Sequence, residues 1–171
     1  NSTIIAEDLG VITADVTELR ESINAPGMVI LQFAWGSDGK NPHLPHNHYE
    51  NSVCYTGTHD NETSQGWYLN QSEFIRKKLK NYAHVTSSNC AWDLVGCAMA
   101  SVSKTCIIPM QDILSLGNEA RMNTPGVADG NWTWRIGSPQ FFSSLVPEGS
   151  KLAQRVSLYD LAQENGDNIQ K

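Results

Sequence analysis

The sequence predicts an α/β fold built on a parallel β-sheet. Short β-branched runs alternate with segments whose apolar residues recur at helical spacing, which is the pattern of strands joined by crossover helices. The run VILQFAW is almost entirely apolar, as expected for a strand with both faces covered. Polar residues follow each predicted strand. Because parallel strands share one carboxyl edge, these residues are expected to meet on one rim of the sheet.

The first half of the chain contains three predicted strands and one helix. TIIAEDLG (3–10) is a β-branched run that ends in two acids and a glycine, and 13–23 has apolar residues at helical spacing. A Pro-Gly turn leads into VILQFAW (29–35), and SVCYTG (52–57) is the third strand. The intervening loop, 36–51, is rich in Gly, Pro, Asn and His, and its length makes it a candidate working loop.

The second half contains mainly helices. Apolar residues at helical spacing predict helices over 72–84 and 89–104. TCIIPM (105–110) is the fourth strand, and the turn-rich segment 111–135 contains a short helix. A further helical pattern covers 151–165. Four strands do not close a barrel, so the sheet is either a small open one or half of a larger barrel.

Charge and composition argue against several classes of function. The net charge is −6 and the 12 Lys and Arg residues are scattered, so no nucleic acid partner is expected. No stretch approaches the roughly 20 apolar residues that cross a bilayer, so no membrane partner is expected. The four cysteines have no CxxC spacing and lie in apolar surroundings. This pattern favours reduced, buried thiols in a reducing compartment, and secretion is not expected.

GTHDNET (57–63) places His59 beside Asp60 at the end of a predicted strand. A charged pair there costs desolvation free energy unless a function uses it. Glu7 ends another predicted strand, and a parallel sheet is able to bring both carboxyls into one pocket. Enzymes that cleave glycosidic bonds typically use two carboxyl groups whose different environments keep one protonated and the other ionised. The alternative for the first strand is that its acids cap the following helix.

Aromatic residues near the rim favour a sugar ligand, whereas histidines raise a metal-binding alternative. Aromatic planes stack on the apolar faces of sugar rings. About half of the aromatic candidates are expected to face the surface and the others to pack in the core; the candidates are Phe33, Trp35, Tyr55, Trp67, Tyr68, Trp132 and Trp134. The candidate metal ligands are His43, His46, His48 and His59, but their spacing matches no common zinc pattern. Because the histidine spacing is not that of a zinc site, we expect no metal. No GxGxxG or phosphate-loop spacing is present, so we expect no cofactor.

Several long motifs resemble one family of glycoside hydrolases. They are IIAEDLGVIT, PGMVILQFAW, LPHN, YTGTHDNET with GW after it, IIPMQDILSLGNEARMNTPG and GNWTWR. In unbroken order over about residues 3–136, they resemble the 4-alpha-glucanotransferases of glycoside hydrolase family 77, the amylomaltases of bacteria and disproportionating enzymes of plants. The resemblance implies a (β/α)8 barrel of the TIM type, of which residues 1–171 would form the C-terminal half, strands 5–8.

The resemblance also implies roles for particular residues. Glu7 of AEDLG matches the acid/base, and Asp60 of THDN matches the acid that stabilises the transition state, with His59 contacting the same sugar. The matched sugar-binding positions are Phe33, Asp38 and Asn123. The family's nucleophilic Asp lies on the strand before that of the acid/base. It would therefore lie outside this chain, which alone would be inactive.

The implied reaction is a retaining double displacement that transfers a segment of an α-1,4-glucan to the 4-hydroxyl of glucose or another glucan. The implied partners are α-1,4-glucans, malto-oligosaccharides and glucose as acceptor. The implied compartment is the bacterial cytoplasm or the plastid stroma. Two alternatives remain open, namely a hydrolytic glycosidase of the same alpha-amylase clan and a non-catalytic glucan-binding fragment.

Overall fold

A computed structural model of the protein describes residues 4–137 and 140–161, and the chain divides into two compact units, 1–136 and 137–171. The regular elements of the first unit are α1 (Ala14–Ser22), β1 (Gly27–Ile30), β2 (Ser52–Tyr55), α2 (Ser64–Asn70), α3 (Glu73–Ala83), α4 (Cys90–Met99), β3 (Thr105–Ile107) and α5 (Met110–Ile113). Short 3₁₀ helices cover Leu31–Phe33, Pro45–Asn47 and Asn118–Ala120. The second unit contains α6 (Phe141–Ser144) and α7 (Val146–Leu158). None of the helices in the described ranges is long and apolar enough to span a bilayer.

Three parallel strands form the sheet, in the order β1-β2-β3, which confirms the predicted parallel α/β architecture. The register pairs Val29 with Cys54 and Cys54 with Cys106, and these side chains belong to or pack against the hydrophobic core. Tyr55 and Ile107 are paired one position further on. Because side chains alternate along a strand, they lie on the opposite face of the sheet.

The helices that follow β2 cover the core face. α4 contacts α2, α3, α5 and β2, and its Leu94 is fully buried. α3 begins after Ser72, whose hydroxyl accepts a hydrogen bond from the Ile75 N–H, and the one buried residue of α3 is Leu79. The indole of Trp35, 1% exposed, belongs to the same core cluster. This packed layer holds the sheet in place, and the sheet in turn positions the loops that follow the carboxyl ends of its strands.

All four cysteines are free thiols, as expected from the sequence. Cys54 and Cys90 are buried, and Cys97 and Cys106 are half-buried. Burial raises the pKa of Cys90 to about 11 and that of Cys106 to about 12. These thiols are therefore protonated at neutral pH and act as small apolar side chains.

The predicted first strand is wrong, because residues 4–9 have no regular strand structure. One backbone hydrogen bond, from the Ala6 N–H to the Pro26 carbonyl at 3.0 Å, joins this segment to the chain just before β1. Two N–H groups of β1 donate instead to side chains. The Met28 N–H donates to Asp8 Oδ1 at 2.7 Å, and the Ile30 N–H donates to His43 Nδ1 at 3.1 Å. Side-chain acceptors thus replace the carbonyls that a regular ladder would supply.

Other predicted elements differ in their boundaries. The strand predicted over 29–35 turns into a 3₁₀ helix at Leu31, and the one predicted over 105–110 ends at Ile107. The helix predicted over 89–104 ends at Met99, and α2 was not predicted. The helix predicted over 151–165 begins earlier, at Val146, and its predicted residues after 161 lie outside the described ranges.

An exposed apolar stripe on α1 gives a prediction for the 171-residue chain. No residue of α1 is buried, and Val16 and Leu19 of α1 and Ile23 at its C-cap are 43%, 64% and 56% exposed at helical spacing. We expect the isolated chain to self-associate, because a contiguous apolar stripe is unfavourable in water. The double substitution Leu19→Lys and Ile23→Lys should shift sedimentation towards the monomer. Leu158→Lys, at an apolar residue 74% exposed on α7, should not. A wild-type chain that remains monomeric at high concentration would contradict this expectation.

Candidate active site

A cavity of about 950 Å³ lies in the first unit, where the carboxyl ends of the strands meet their loops. Tyr55 of β2 and Ile107 of β3 line it from the sheet face opposite the core. Its polar wall includes Glu7, His59 and Asp60. Residues from every strand-to-loop junction therefore contribute to one concave surface, as in parallel α/β proteins generally.

The GTHDNET loop, residues 57–63, is ordered by its own side chains. Asn61 Oδ1 accepts hydrogen bonds from the Thr58 N–H at 2.8 Å and the Thr58 hydroxyl at 2.9 Å. The Asp60 N–H donates to Thr58 Oγ1 at 3.3 Å, and the Asn61 N–H donates to the Thr58 carbonyl at 3.2 Å. These bonds close a tight turn that fixes the backbone of Asp60.

The two oxygens of the Asp60 carboxylate have different environments. Oδ1 accepts a hydrogen bond from Asn123 Nδ2 at 2.6 Å and lies 3.2 Å from His59 Nε2. Oδ2 makes no hydrogen bond within residues 4–137. The side chain is 44% exposed in the cavity wall. Asp60 is therefore held through one oxygen, and the other remains available to a ligand.

The segment after β3 clamps the backbone of the His59–Asp60 pair. Arg121 Nη2 donates to the Asp60 carbonyl at 2.7 Å, and the Asn123 N–H donates to the His59 carbonyl at 3.1 Å. The His59 ring lies against Trp132, with ring centroids 5.1 Å apart. Trp132 has a positive φ of 60°, a conformation that is unfavourable for a bulky side chain. Such strain occurs most often at functional sites.

Glu7 reaches the cavity from a segment held by side chains. Its neighbour Asp8 accepts from the Met28 N–H through Oδ1 and forms an ion pair with Arg20 through Oδ2, at 3.2 Å. Arg20 Nη1 also donates to the Ala25 carbonyl at 3.1 Å. Glu7 itself is exposed and lines the cavity. The predicted alternative that these acids cap α1 is wrong, because the N-cap Thr13 side chain makes no cap hydrogen bond and Asp8 bonds to β1 instead.

Asp112, at 1% exposed, is the most buried acid of the cavity wall. Its Oδ2 accepts from the Thr56 hydroxyl at 2.5 Å and the Ser64 hydroxyl at 2.7 Å, and its Oδ1 accepts from the Ser64 N–H at 2.8 Å. Burial raises the pKa of Asp112, although these hydrogen bonds lower it. Asp112 thus joins the start of α5 to the loop after β2.

Five of the six residues assigned to a sugar site by sequence lie together. Glu7, Phe33, His59 and Asp60 line the cavity, and Asn123 bonds to Asp60. Phe33 is 44% exposed, and its ring meets His43 edge-on with centroids 5.5 Å apart. Asp38 is not among the residues that line the cavity. It lies on the exposed loop 36–41, where its Oδ1 accepts from the Lys40 N–H at 2.9 Å.

The candidate metal ligands make other contacts. His43 Nδ1 accepts from the Ile30 N–H, His46 contacts the Tyr82 hydroxyl at 2.6 Å, and His48 contacts the Ser101 hydroxyl at 2.6 Å. Burial lowers the pKa of His43 and of His48. In the described ranges, no group of three or more His, Cys, Asp or Glu side chains is placed to hold a metal.

Only part of the predicted aromatic rim faces solvent. Trp35, Trp67 and Tyr68 are buried in the core, so the core-packing alternative applies to these three. Phe33 and Trp132 are 44% and 51% exposed and remain accessible to a sugar. Both flank the site, since Phe33 lines the cavity and Trp132 stacks on His59.

Sequence reasoning missed Arg121, Thr56 and Ser64. Arg121 holds the Asp60 carbonyl, and the two hydroxyls bind Asp112 across the site. Thr56 and Arg121 lie within the motifs YTGTHDNET and IIPMQDILSLGNEARMNTPG, and Ser64 directly follows the first of them. Their contacts with Asp112 and Asp60 are tertiary, so the motifs alone do not reveal these roles.

Known proteins match this chain in sequence. The family model of the 4-alpha-glucanotransferases matches residues 1–139. The chloroplastic/amyloplastic 4-alpha-glucanotransferase of Arabidopsis thaliana is 52% identical over 157 residues, which cover 91% of this chain and 27% of that protein. The 4-alpha-glucanotransferase of Synechocystis sp. is 50% identical over 137 residues, 79% of this chain and 27% of that protein.

A solved structure matches the fold. Amylomaltase from Streptococcus agalactiae in complex with acarbose superposes with a TM-score of 0.84 at 32% identity, over 91% of this chain and 31% of that one. The chain thus spans 27% of the length of the two curated relatives and 31% of that structure. The family match, together with the motifs around Glu7 and Asp60, establishes that the chain belongs to the 4-alpha-glucanotransferase family.

Proposed function

We propose that this chain is the C-terminal half of a (β/α)8 barrel, with the irregular segment 4–9 in the place of strand 5 and β1–β3 as strands 6–8, and that it carries part of the active site of a 4-alpha-glucanotransferase. Family membership, the parallel sheet and the likeness to amylomaltase support the proposal. The observation that carries it is that Glu7 and Asp60, distant in sequence, line one cavity at the carboxyl edge of the sheet. That edge is where barrel enzymes hold their catalytic groups.

Glu7 is proposed as the acid/base. It protonates the departing glucan oxygen while a nucleophilic Asp, outside this chain, attacks the anomeric carbon to form a covalent glycosyl intermediate. In retaining enzymes these two carboxyls lie about 5 to 5.5 Å apart. Glu7 then deprotonates the 4-hydroxyl of an incoming glucan, which restores an α-1,4 bond on a new acceptor.

Asp60 is proposed to stabilise the transition state. Asn123 and His59 hold Oδ1, so Oδ2 faces the ligand with a fixed orientation. A negative charge at that position interacts more strongly with the sugar as its ring gains positive charge, and this difference lowers the barrier. The orientation is set before the substrate binds, so little reorganisation is needed during the reaction.

The remaining assigned residues are proposed to bind sugar. Phe33 offers an exposed ring to the apolar face of a glucosyl unit, and His59 and Asn123 contact the unit held by Asp60. Asp38, outside the cavity, is proposed to contact a glucan that extends beyond it. The substrates are α-1,4-glucans and malto-oligosaccharides, with glucose as an acceptor. Exclusion of water by a bound acceptor favours transfer over hydrolysis.

The compartment is proposed to be a plastid stroma or a bacterial cytoplasm. The Arabidopsis relative is named as chloroplastic/amyloplastic, and the Synechocystis relative is bacterial. Four free thiols, two of them buried and two half-buried, are consistent with a reducing compartment.

The first test is a chimera in which this chain replaces the segment that it matches in the Arabidopsis enzyme. With maltotriose, we expect glucose together with oligomers longer than the substrate, measured by chromatography of the products. The 171-residue chain alone should give no products. Only glucose and maltose from the chimera would favour a hydrolase, and sugar binding without products would favour a non-catalytic fragment.

In this chimera, Asp60→Asn should lower kcat by about 10²- to 10³-fold, because it removes a charge that acts mainly in the transition state. The thermal midpoint should not change, since the side chain is half-exposed. Asp129→Asn makes the same chemical change at an exposed loop residue and should change neither kcat nor the thermal midpoint. Near-normal turnover of the Asp60 variant would remove this residue from the mechanism.

Glu7→Gln tests the acid/base role with two donors. Turnover of maltotriose should fall by about 10²- to 10⁴-fold. With maltosyl fluoride as donor and azide as acceptor, neither step needs a proton transfer, so most of the rate should be retained. Asp60→Asn is the comparison and should be slow with both donors. Equal losses of Glu7→Gln on both donors would contradict the assignment.

A further inference from the structure

Asp112 is a buried carboxylate for which the proposed mechanism has no chemical step. Its partners stand at the two ends of the loop that carries Asp60. Thr56 immediately precedes residues 57–63, and Ser64 immediately follows them. Both partners are fully buried, and both of their hydroxyls donate to the same oxygen of Asp112. One side chain from the junction after β3 therefore closes both ends of the loop after β2.

We propose that Asp112 is a positioning residue for Asp60, because it holds both ends of the catalytic loop at a fixed separation. This inference rests on the role proposed above for Asp60. Asp112 contacts neither Asp60 nor His59 through a hydrogen bond, so its action is indirect. It sets the geometry in which Asp60 meets the sugar.

A simple helix-capping role does not explain these contacts. α2 already has an N-cap, since Thr63 Oγ1 accepts from the Gly66 N–H at 3.1 Å. Asp112 adds an acceptor for the Ser64 N–H, which is favourable at a helix N-terminus. The bond to Thr56 serves no part of α2, because Thr56 directly follows β2 and lies eight positions before Ser64.

The loop interior depends on this closure. Its internal turn fixes Thr58, Asp60 and Asn61 relative to one another. On the far side of the turn, Gln32 Nε2 donates to the Glu62 carbonyl at 2.9 Å. The turn is rigid within itself, so its position relative to the sheet is set by its two ends together with the bonds from Gln32 and from the segment after β3.

A carboxylate suits this place better than a neutral side chain. An ionised carboxylate only accepts, so it receives two hydroxyls and one N–H without competition, and such bonds are short. Burial raises the pKa of Asp112, so its ionisation lowers stability as the pH rises through that pKa. Fold stability alone does not favour a charge here. Stability given up at such a position is typical of residues kept for function.

The test uses Asp112→Asn in the chimera described above. If Asp112 acts through Asp60, kcat should fall by about ten- to a hundredfold with a smaller change in KM, because a small misplacement affects the transition state most. In the Asp60→Asn background the same substitution should have no further effect on kcat. Ser72→Ala, which removes the hydroxyl that caps α3, is the control for lost stability and should leave kcat unchanged.

Amide hydrogen exchange gives a second readout that does not need activity. Exchange in peptides covering 57–63 should increase in Asp112→Asn and stay unchanged in peptides covering α3. Where Asp112→Asn does not fold, Thr56→Val removes one end of the closure and should produce the same pattern. Unchanged exchange in the loop, or an equal loss of kcat in both backgrounds, would overturn the proposal. Undiminished turnover of Asp60→Asn would contradict the proposed function instead, and the exchange result would still decide whether Asp112 holds the loop.

Discussion

Parallel pairing of β1, β2 and β3 is the constraint on which the site depends. Because the strands run in one direction, their carboxyl ends meet at one edge, and the loops that follow them share that edge. Core packing on one face leaves the other to line the cavity, with Tyr55 and Ile107 as its wall. This arrangement brings Asp60 to the cavity, and Glu7 reaches the same cavity from the irregular segment 4–9 beside β1.

Side chains, more than backbone ladders, hold the two carboxylates in place. Asp8 accepts a hydrogen bond from an N–H group of β1 and forms an ion pair with Arg20. These contacts fix the irregular segment that carries Glu7. Asp112 accepts three hydrogen bonds from residues at the two ends of the Asp60 loop. A buried group whose hydrogen bonds are all made, as at Asp112, specifies geometry closely. The same requirement makes the site sensitive to substitutions that do not touch the ligand.

The fold was predictable from sequence where one physical signal dominated. β2 and α3 were found because a buried apolar run and a helical repeat are strong signals. The first strand failed because Asp8 competes with the backbone for hydrogen bonds, which periodicity does not record. α2 was missed because Ser64–Asn70 contains weak helix formers, and burial of Trp67 and Tyr68 stabilises it instead. In the site, acids and aromatics were found by residue type, but partners such as Arg121 depend on tertiary contacts.

The most direct measurement of the central claim is a crystal structure of the chimera with acarbose, the ligand of the Streptococcus agalactiae amylomaltase structure. The account predicts that Asp60 Oδ2 and the Glu7 carboxyl both lie within hydrogen-bonding distance, about 3.2 Å or less, of the same sugar unit or its glycosidic oxygen. Acarbose bound outside the cavity, or bound with these two groups contacting sugar units that are not adjacent, would contradict it.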